Sequence, residues 1–481
     1  MLIKDCTSSR RTQRSEQSTA QRSLFLAPTV YVVHCVDTEG PLYESVEATF
    51  ERIRHIFHLD LEPSRNLLAK LQVGETDLGG LEDAVKKVVD PKLLAYNDTW
   101  DKVDRMLREA LSPNFRNLSL DSLGEGYIYN WFCVDHVDYE VNPRRRDIGY
   151  HNIFDHYRQM LAETGAALDG LHFHYHPHPF VKHAHLCATH WWASSDTLYQ
   201  VLSRRVIDRH WFPGVNRPGF QVNRPDSHWF LEQYIPFDLA SLAVAPDPED
   251  AQQFDFSNGR SGDWRRAPRT WTPYHPSHDD YQTEGHCRRW IGRCLNSGTR
   301  THLLTEEDVI QAFGEARECK PVVMSYADHD FRDICADVTL VRALLERVKM
   351  DFPEVEFRYC EAVSAMRQAL SLPRIPRCEL ELTLQSVDDH AHVLTVRTEA
   401  PTFGPQPYLA IKTVAGMYHH DNFDFQISHH EWTYTFDGET LPLRAVETIG
   451  VATNNAYGVT SVAALDTLTG QVTTRYWNES N

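Results

Sequence analysis

The segment Thr29 to Asp37 (TVYVVHCVD) is a short apolar, β-branched run that closes on acidic residues and the turn-forming pair Gly40-Pro41. This is the pattern of a buried strand emptying into a loop. Apolar residues then recur at three- and four-residue intervals from Val46 to His58 and from Trp100 to Leu111, which predicts two helices. A second strand is expected over Tyr127 to Val134, ending in Asp135-His136, and a further helix over Tyr150 to Thr164, stopping at Gly165. Shorter strand-like runs follow at Leu171 to Tyr175, near Val215, at Phe237 to Val244, at Pro321 to Tyr326 and at Val355 to Tyr359, the last leading into a helical stretch from Glu361 to Leu370. Strands alternating with helices imply βα units around a parallel sheet, either open or closed into a barrel, with active-site groups gathered after the strands. From about residue 246 to 298 the pattern dissolves into Trp, Pro, Asp, Gly and Arg, which reads as a structured insertion covering the site.

The cluster Leu372-Pro373-Arg374-Ile375-Pro376 breaks the helical pattern, and alternating strands such as Glu379 to Gln385 and His392 to Thr398 come after it. Further runs at Tyr408 to Val414, Glu431 to Phe436, Leu441 to Val446 and Ser461 to Leu465 predict an antiparallel sandwich of roughly eight short strands. The expected organisation is a disordered Ser-, Thr-, Gln- and Arg-rich leader (1–28), an α/β domain with a parallel sheet (29–372) and a β-sandwich domain (373–481).

Composition narrows the function classes. No run approaches the ~18 apolar residues of a membrane-spanning helix, and a formal charge of −19 argues against nucleic acid as partner. The basic run Arg144-Arg145-Arg146 is read as solvated surface in preference to an anion contact, the alternative it leaves open. Ten cysteines without CxxC pairs fit a reduced, cytoplasmic setting. The unusual figure is 26 histidines, the side chain most used for metal ligation and proton transfer near neutral pH.

Four strand ends carry groups that could do chemistry. Asp37-Thr38-Glu39 places two carboxylates on one side of an extended chain, suited to one metal ligand and one general base. Leu171 to Pro179 (LHFHYHPHP) places His172, His174, His176 and His178 at another strand end. A turn at Pro177 would fold His178 back towards His174 as a pair of metal ligands, while His183 and His185 beyond are read as loop histidines. Arg217-Pro218-Gly219 presents an arginine able to clamp a carboxylate. His329, between Asp328 and Asp330, is a candidate general acid whose pKa neighbouring acids would raise.

Taken in chain order, these four motifs resemble the polysaccharide deacetylase family over residues 29–372. The resemblance implies a distorted (β/α) barrel and a metal-dependent hydrolase that removes an acetyl or similar acyl group from a carbohydrate. In that family an acidic TFDDG motif gives a base and a metal-binding aspartate, HxxxH gives two metal histidines, RxP orients the base, and a late histidine completes catalysis. Carried over residue by residue, Asp37, Arg217 and His329 become catalytic, and Glu39, His174 and His178 hold one divalent metal. Zinc is the first choice, with nickel, cobalt, iron or manganese open. Outside those motifs, Asp135 and the insertion's Trp264 and Trp271 are expected to contact the sugar, the alternative for the tryptophans being a buried mini-core of the loop. The sequence departs from the family in spacing its acids as Asp-Thr-Glu, which leaves base and ligand interchangeable. His172 with His176 also satisfies HxxxH, and the third motif reads Arg-Pro-Gly. A metal-free glycoside hydrolase or a non-catalytic sugar-binding protein on the same barrel are the alternatives.

Overall fold

A computed structural model describes residues 27–186, 191–245 and 262–479. The leader assigned to residues 1–28 lies outside the described residues except for its last two, as does the first part of the insertion, residues 246–261.

Strand β1 (Thr29–Thr38) is the axis of the fold. Along one edge it pairs in parallel with β7 (Val322–His329) from Val30 to Asp37. The other edge is divided. His34 to Thr38 pair with β2 (Tyr129–Cys133), while Thr29 to Val32 pair with β8 (Glu356–Tyr359). Strands β3 (Gly170–Phe173), β4 (Val215–Asn216), β5 (Phe237–Ser241) and β6 (Trp290–Asn296) complete the circuit from β2 to β7. The result is a closed seven-stranded parallel barrel with β8 wedged into its N-terminal end. Asn130 seals the fork: its amide donates to the carbonyls of His34 and Cys360, and its oxygen accepts from the Ala362 N–H.

Alternation along the strands sorts side chains into two sets. Val33, Cys35, Phe132, Leu239, Val323 and Ala327 share a buried cluster inside the barrel, whereas Val32, Trp131 and Met324 join the core beneath the helices. Trp290–Asn296 belongs to this barrel and not to the insertion, which therefore ends at residue 289. The run WIGRCLN does not read as apolar, yet Arg293 is buried with its charge met by Asp308 at 2.7 Å and the Ala243 carbonyl at 2.8 Å.

Between β1 and α4 (Trp100–Ala110) lies a helical layer that encloses a core of its own. It comprises α1 (Val46–Phe57), α2 (Arg65–Val73) and α3 (Glu82–Val88). Ser45 and Ser64 cap α1 and α2 by accepting from Ala48 N and Leu67 N. The layer is tied shut where Leu42 N–H donates to Asn97 O and Asn97 N–H donates to Phe331 O, next to the end of β7. Among the described residues this layer roofs the mouth of the barrel; the first part of the insertion expected to cover the site lies outside them.

After α11 (Ala362–Ala369) the chain enters two antiparallel sheets, one of four strands and one of five. Leu394, Val396 and Trp432 from the first meet Ile411, Ile449 and Val451 from the second in one core, the arrangement of a sandwich. The strand expected over Leu441 to Val446 begins later: Pro442 starts a single helical turn at Leu443–Ala445, and the strand is Val446–Asn454. Among the described residues no helix is long and apolar enough to cross a membrane.

Candidate metal centre

Register places the first pair of site residues together. Asp37 stands opposite His329 in the β1–β7 pairing. Strands β3 and β4 meet at Phe173 and Asn216, so the next residues, His174 and Arg217, leave the barrel side by side. Two further backbone bonds, Arg217 N–H to Phe173 O and Gly219 N–H to Tyr175 O, keep that pairing going beyond the strands.

Past Thr38 the chain turns under the control of Asp330. Its carboxylate accepts the N–H groups of Glu39 and Gly40, each at 2.9 Å, and the Tyr157 hydroxyl at 2.9 Å. Burial pushes the Asp330 pKa up to about 7. Gly40 has φ 70°, a left-handed conformation that favours glycine. His136 Nε2 donates to the Glu39 carbonyl at 3.2 Å, so the turn is held from both sides.

Glu39 thereby faces His174 and His176. Its Oε1 lies 3.9 Å from His174 Nε2 and 3.6 Å from His176 Nε2, and the two Nε2 atoms are 2.9 Å apart. All three side chains are buried. His174 Nδ1 donates to the Arg217 carbonyl at 2.7 Å, which aims Nε2 at Glu39. Burial alone would lower the His174 pKa, but Asp37 and Glu39 outweigh it and raise it. Burial holds His176 well below the usual histidine range, so it offers a neutral imidazole. Burial would raise the Glu39 pKa, yet Arg146, 2.5 Å away, and His176 hold it well down. Two imidazole nitrogens and an ionised carboxylate converging on one point are a donor set that fits Zn, Fe, Co, Ni or Mn as divalent ions.

Asp37 is engaged differently. Arg217 Nε donates to its Oδ1 at 2.8 Å, and both side chains are shut off from solvent. Burial works to lower the Arg217 pKa and the Asp37 carboxylate more than offsets it. Asp37 Oδ2 lies 3.8 Å from His329 Nε2, which is also 3.8 Å from Glu39 Oε1. The acids flanking His329 in sequence do not face it: Asp328 pairs with His34 at 3.0 Å and Asp330 holds the turn. Burial lowers the His329 pKa to about 4, the reverse of the expected rise.

The histidine pair is His174 with His176, neither of the HxxxH pairs. Because Tyr175 is pinned to Gly219, alternation persists to His176, and only then does Pro177 turn the chain away. His178 is turned away from Glu39, 3.1 Å from Thr197 and 3.2 Å from Asp138. His172 lies deeper, bonded to Asn130 and 3.3 Å from Glu361. Asp135 is not a pocket residue; it forms a buried pair with Arg205 of α7 (Ser195–Arg209) at 2.7 Å. Trp264 and Trp271 offer no open face for a sugar. Both are buried, with their indole N–H groups donated to the carbonyls of Gln221 and Asp308. Trp264 packs with Ala267, Tyr274 and Tyr281 as a small core on the barrel flank, and Trp271 joins the main core.

The centre opens into a pocket of about 220 Å³. Asp37, Glu39, His174, His176 and His329 line it, together with Arg52, Ile56 and Tyr96 from the helical layer and Arg144, Arg146, His185 and Arg332. Sequence reasoning gave Arg52 and Arg332 no role, favoured solvated surface for Arg144 and Arg146, and read His185 as a loop histidine. Within Arg144-Arg145-Arg146 the outer two are buried in the wall and the middle one alone is exposed, over the Tyr43 ring. Phe220 and Gln221, also lining the pocket, have φ 52° and 50°, the kind of backbone strain found at functional sites. No protein-family model, curated protein or solved structure matches the chain.

Proposed function

We propose that this chain is a metal-dependent hydrolase of the polysaccharide deacetylase type, removing an acetyl or similar acyl group from a carbohydrate. The observation that carries the reading is the Glu39, His174 and His176 donor set lying beside an arginine-clamped carboxylate and a histidine at one barrel mouth. A divalent cation held by those three residues would supply Lewis acidity toward an acyl carbonyl oxygen.

The chain's own residues divide the remaining work. Asp37, aimed by Arg217, accepts the proton of the attacking water. His329 is neutral at rest and stands within 3.8 Å of Asp37, so it can take that proton on and deliver it to the leaving amine or alcohol. Phe220 and Phe331 wall the pocket and limit the entry of further water. A glycosidase would need its two carboxyl groups flanking the scissile bond. Here each carboxylate is already bound to an arginine and both approach the same His329 nitrogen, which favours the metal reading.

The test is acetate release by metal-loaded protein from a panel of N- and O-acetylated sugars. Asp37→Asn should lower kcat about 100-fold or more. If folded, metal-loaded wild type frees no acetate from any member of the panel, the reading fails.

A further inference from the structure

Arg52, Arg144, Arg146 and Arg332 line the same pocket as the donor set, although the whole chain carries a formal charge of −19. Their pairing is incomplete. Arg52 and Arg144 share the single carboxylate of Glu44. Arg146 binds Glu39 through Nη2, while its Nε and Nη1 are buried without a hydrogen-bond partner. Arg332 meets no carboxylate among the described residues: its Nε is 3.5 Å from the Leu93 carbonyl, and its guanidinium rests against the rings of Tyr96 and Phe331. Four arginines against two carboxylates leave two positive charges in a wall largely removed from water, with Asp37 already matched by Arg217. Burial, with Arg146, Arg144 and Arg52 adding to it, holds the neighbouring His185 well below its usual pKa. Charges of one sign gathered in this way are costly unless a counter-charge arrives, and planar guanidinium groups are suited to binding carboxylate or phosphate through paired hydrogen bonds.

We propose that the acylated sugar bound here is anionic, its carboxylate or phosphate seated on Arg332 and the unpaired edge of Arg146, with Arg52 and Arg144 behind. The inference rests on the hydrolase reading for the sugar, while the basic wall itself defines the charge.

Calorimetric titration of the metal-loaded protein with N-acetylglucosamine, N-acetylglucosamine 1-phosphate and N-acetylglucosaminuronic acid tests it. At least one charged sugar should bind about tenfold tighter than the neutral one, with the advantage shrinking as salt rises. Tighter binding of the phosphate or of the uronate tells which anion the wall accepts. The advantage should vanish in Arg332→Gln and survive in Arg332→Lys, both checked for fold by circular dichroism. Equal or absent binding of all three sugars by the wild type, a comparison that needs no variant, overturns the inference. So does an advantage unchanged in folded Arg332→Gln. Acetate release is read separately: a charged sugar that binds tightly but keeps its acetyl group sustains this inference and removes the hydrolase reading. Deacylation of neutral sugars with exclusion of charged ones does the opposite.

Discussion

A methyl group on residue 219 would stand 2.2 Å from Cδ2 of His176, far inside contact distance. The absence of a side chain there is what lets the imidazole lie beside His174. Arg217-Pro218-Gly219 therefore serves two members of the site, since Arg217 clamps Asp37 and Gly219 makes room for His176. Gly219→Ala should leave the barrel folded and weaken divalent-metal affinity by about tenfold or more, as measured by competition with a chelator. Unaltered affinity would contradict the role given to this residue. Asp37, Glu39, Arg217 and His329 were legible in the sequence because each stands at or just past the end of a strand-like run. The choice among four histidines was not, because it depends on where Pro177 breaks the alternation, and that is fixed by a backbone bond to Gly219. Nor could spacing tell that Arg144 and Arg146 point inward while Arg145 points out.

Helix α10 (Ile334–Asp351) starts with a conflict between its own electrostatics and its packing. Asp337, in its first turn, is favoured there by the helix dipole. Burial, reinforced by Asp328, nevertheless pushes its pKa up to about 7. A raised carboxyl pKa means that the folded protein binds the proton more tightly than the unfolded chain. The stability from that proton is fully present below about pH 4 and is lost as pH rises through about 7. Asp337→Asn should accordingly melt close to wild type at pH 4 and increasingly above it as pH rises to 8, by differential scanning calorimetry. A constant gap between the two proteins across that range would refute the shift. Most elements were readable from periodicity: β1, α1, α4, β2 and α11 fall within two residues or so of their expected ends. Strand β6 was not, since its buried arginine is tolerated only through Asp308 and a carbonyl contributed from elsewhere. Amphipathic spacing likewise announced α1 without revealing that it roofs the pocket, because docking is a tertiary property.

The two parts of the molecule are joined through α7, whose residues are buried on both sides. Tyr408, Ala410 and Ala452 of the five-stranded sheet belong to the same core as Val201, Val206 and Ile207 of α7. Polar ties accompany this packing. Tyr408 and Ser203 hydroxyls are 3.0 Å apart, Asn454 donates to the carbonyls of Pro213 and Tyr234, and Arg367 donates to those of Tyr457 and Asn478. A methyl group on Gly450 would lie 2.7 Å from Val206, so the sheet sits directly on the helix. The sequence marked a change of pattern near residue 373, but gave no sign that the second part completes the core of the first. A chain ending at Leu372 should lose cooperative unfolding and aggregate, since the apolar face of α7 would be exposed. A truncated chain that melts cooperatively near the wild-type temperature would show that the sandwich is an independent module.

Metal content by elemental analysis, on untagged wild type and on His174→Ala, His176→Ala and His178→Ala, tests the central claim most directly. The account expects about one equivalent of divalent metal in wild type and in His178→Ala, and its loss in the other two variants. Metal-free wild type, or metal retained in His174→Ala and His176→Ala, would contradict it.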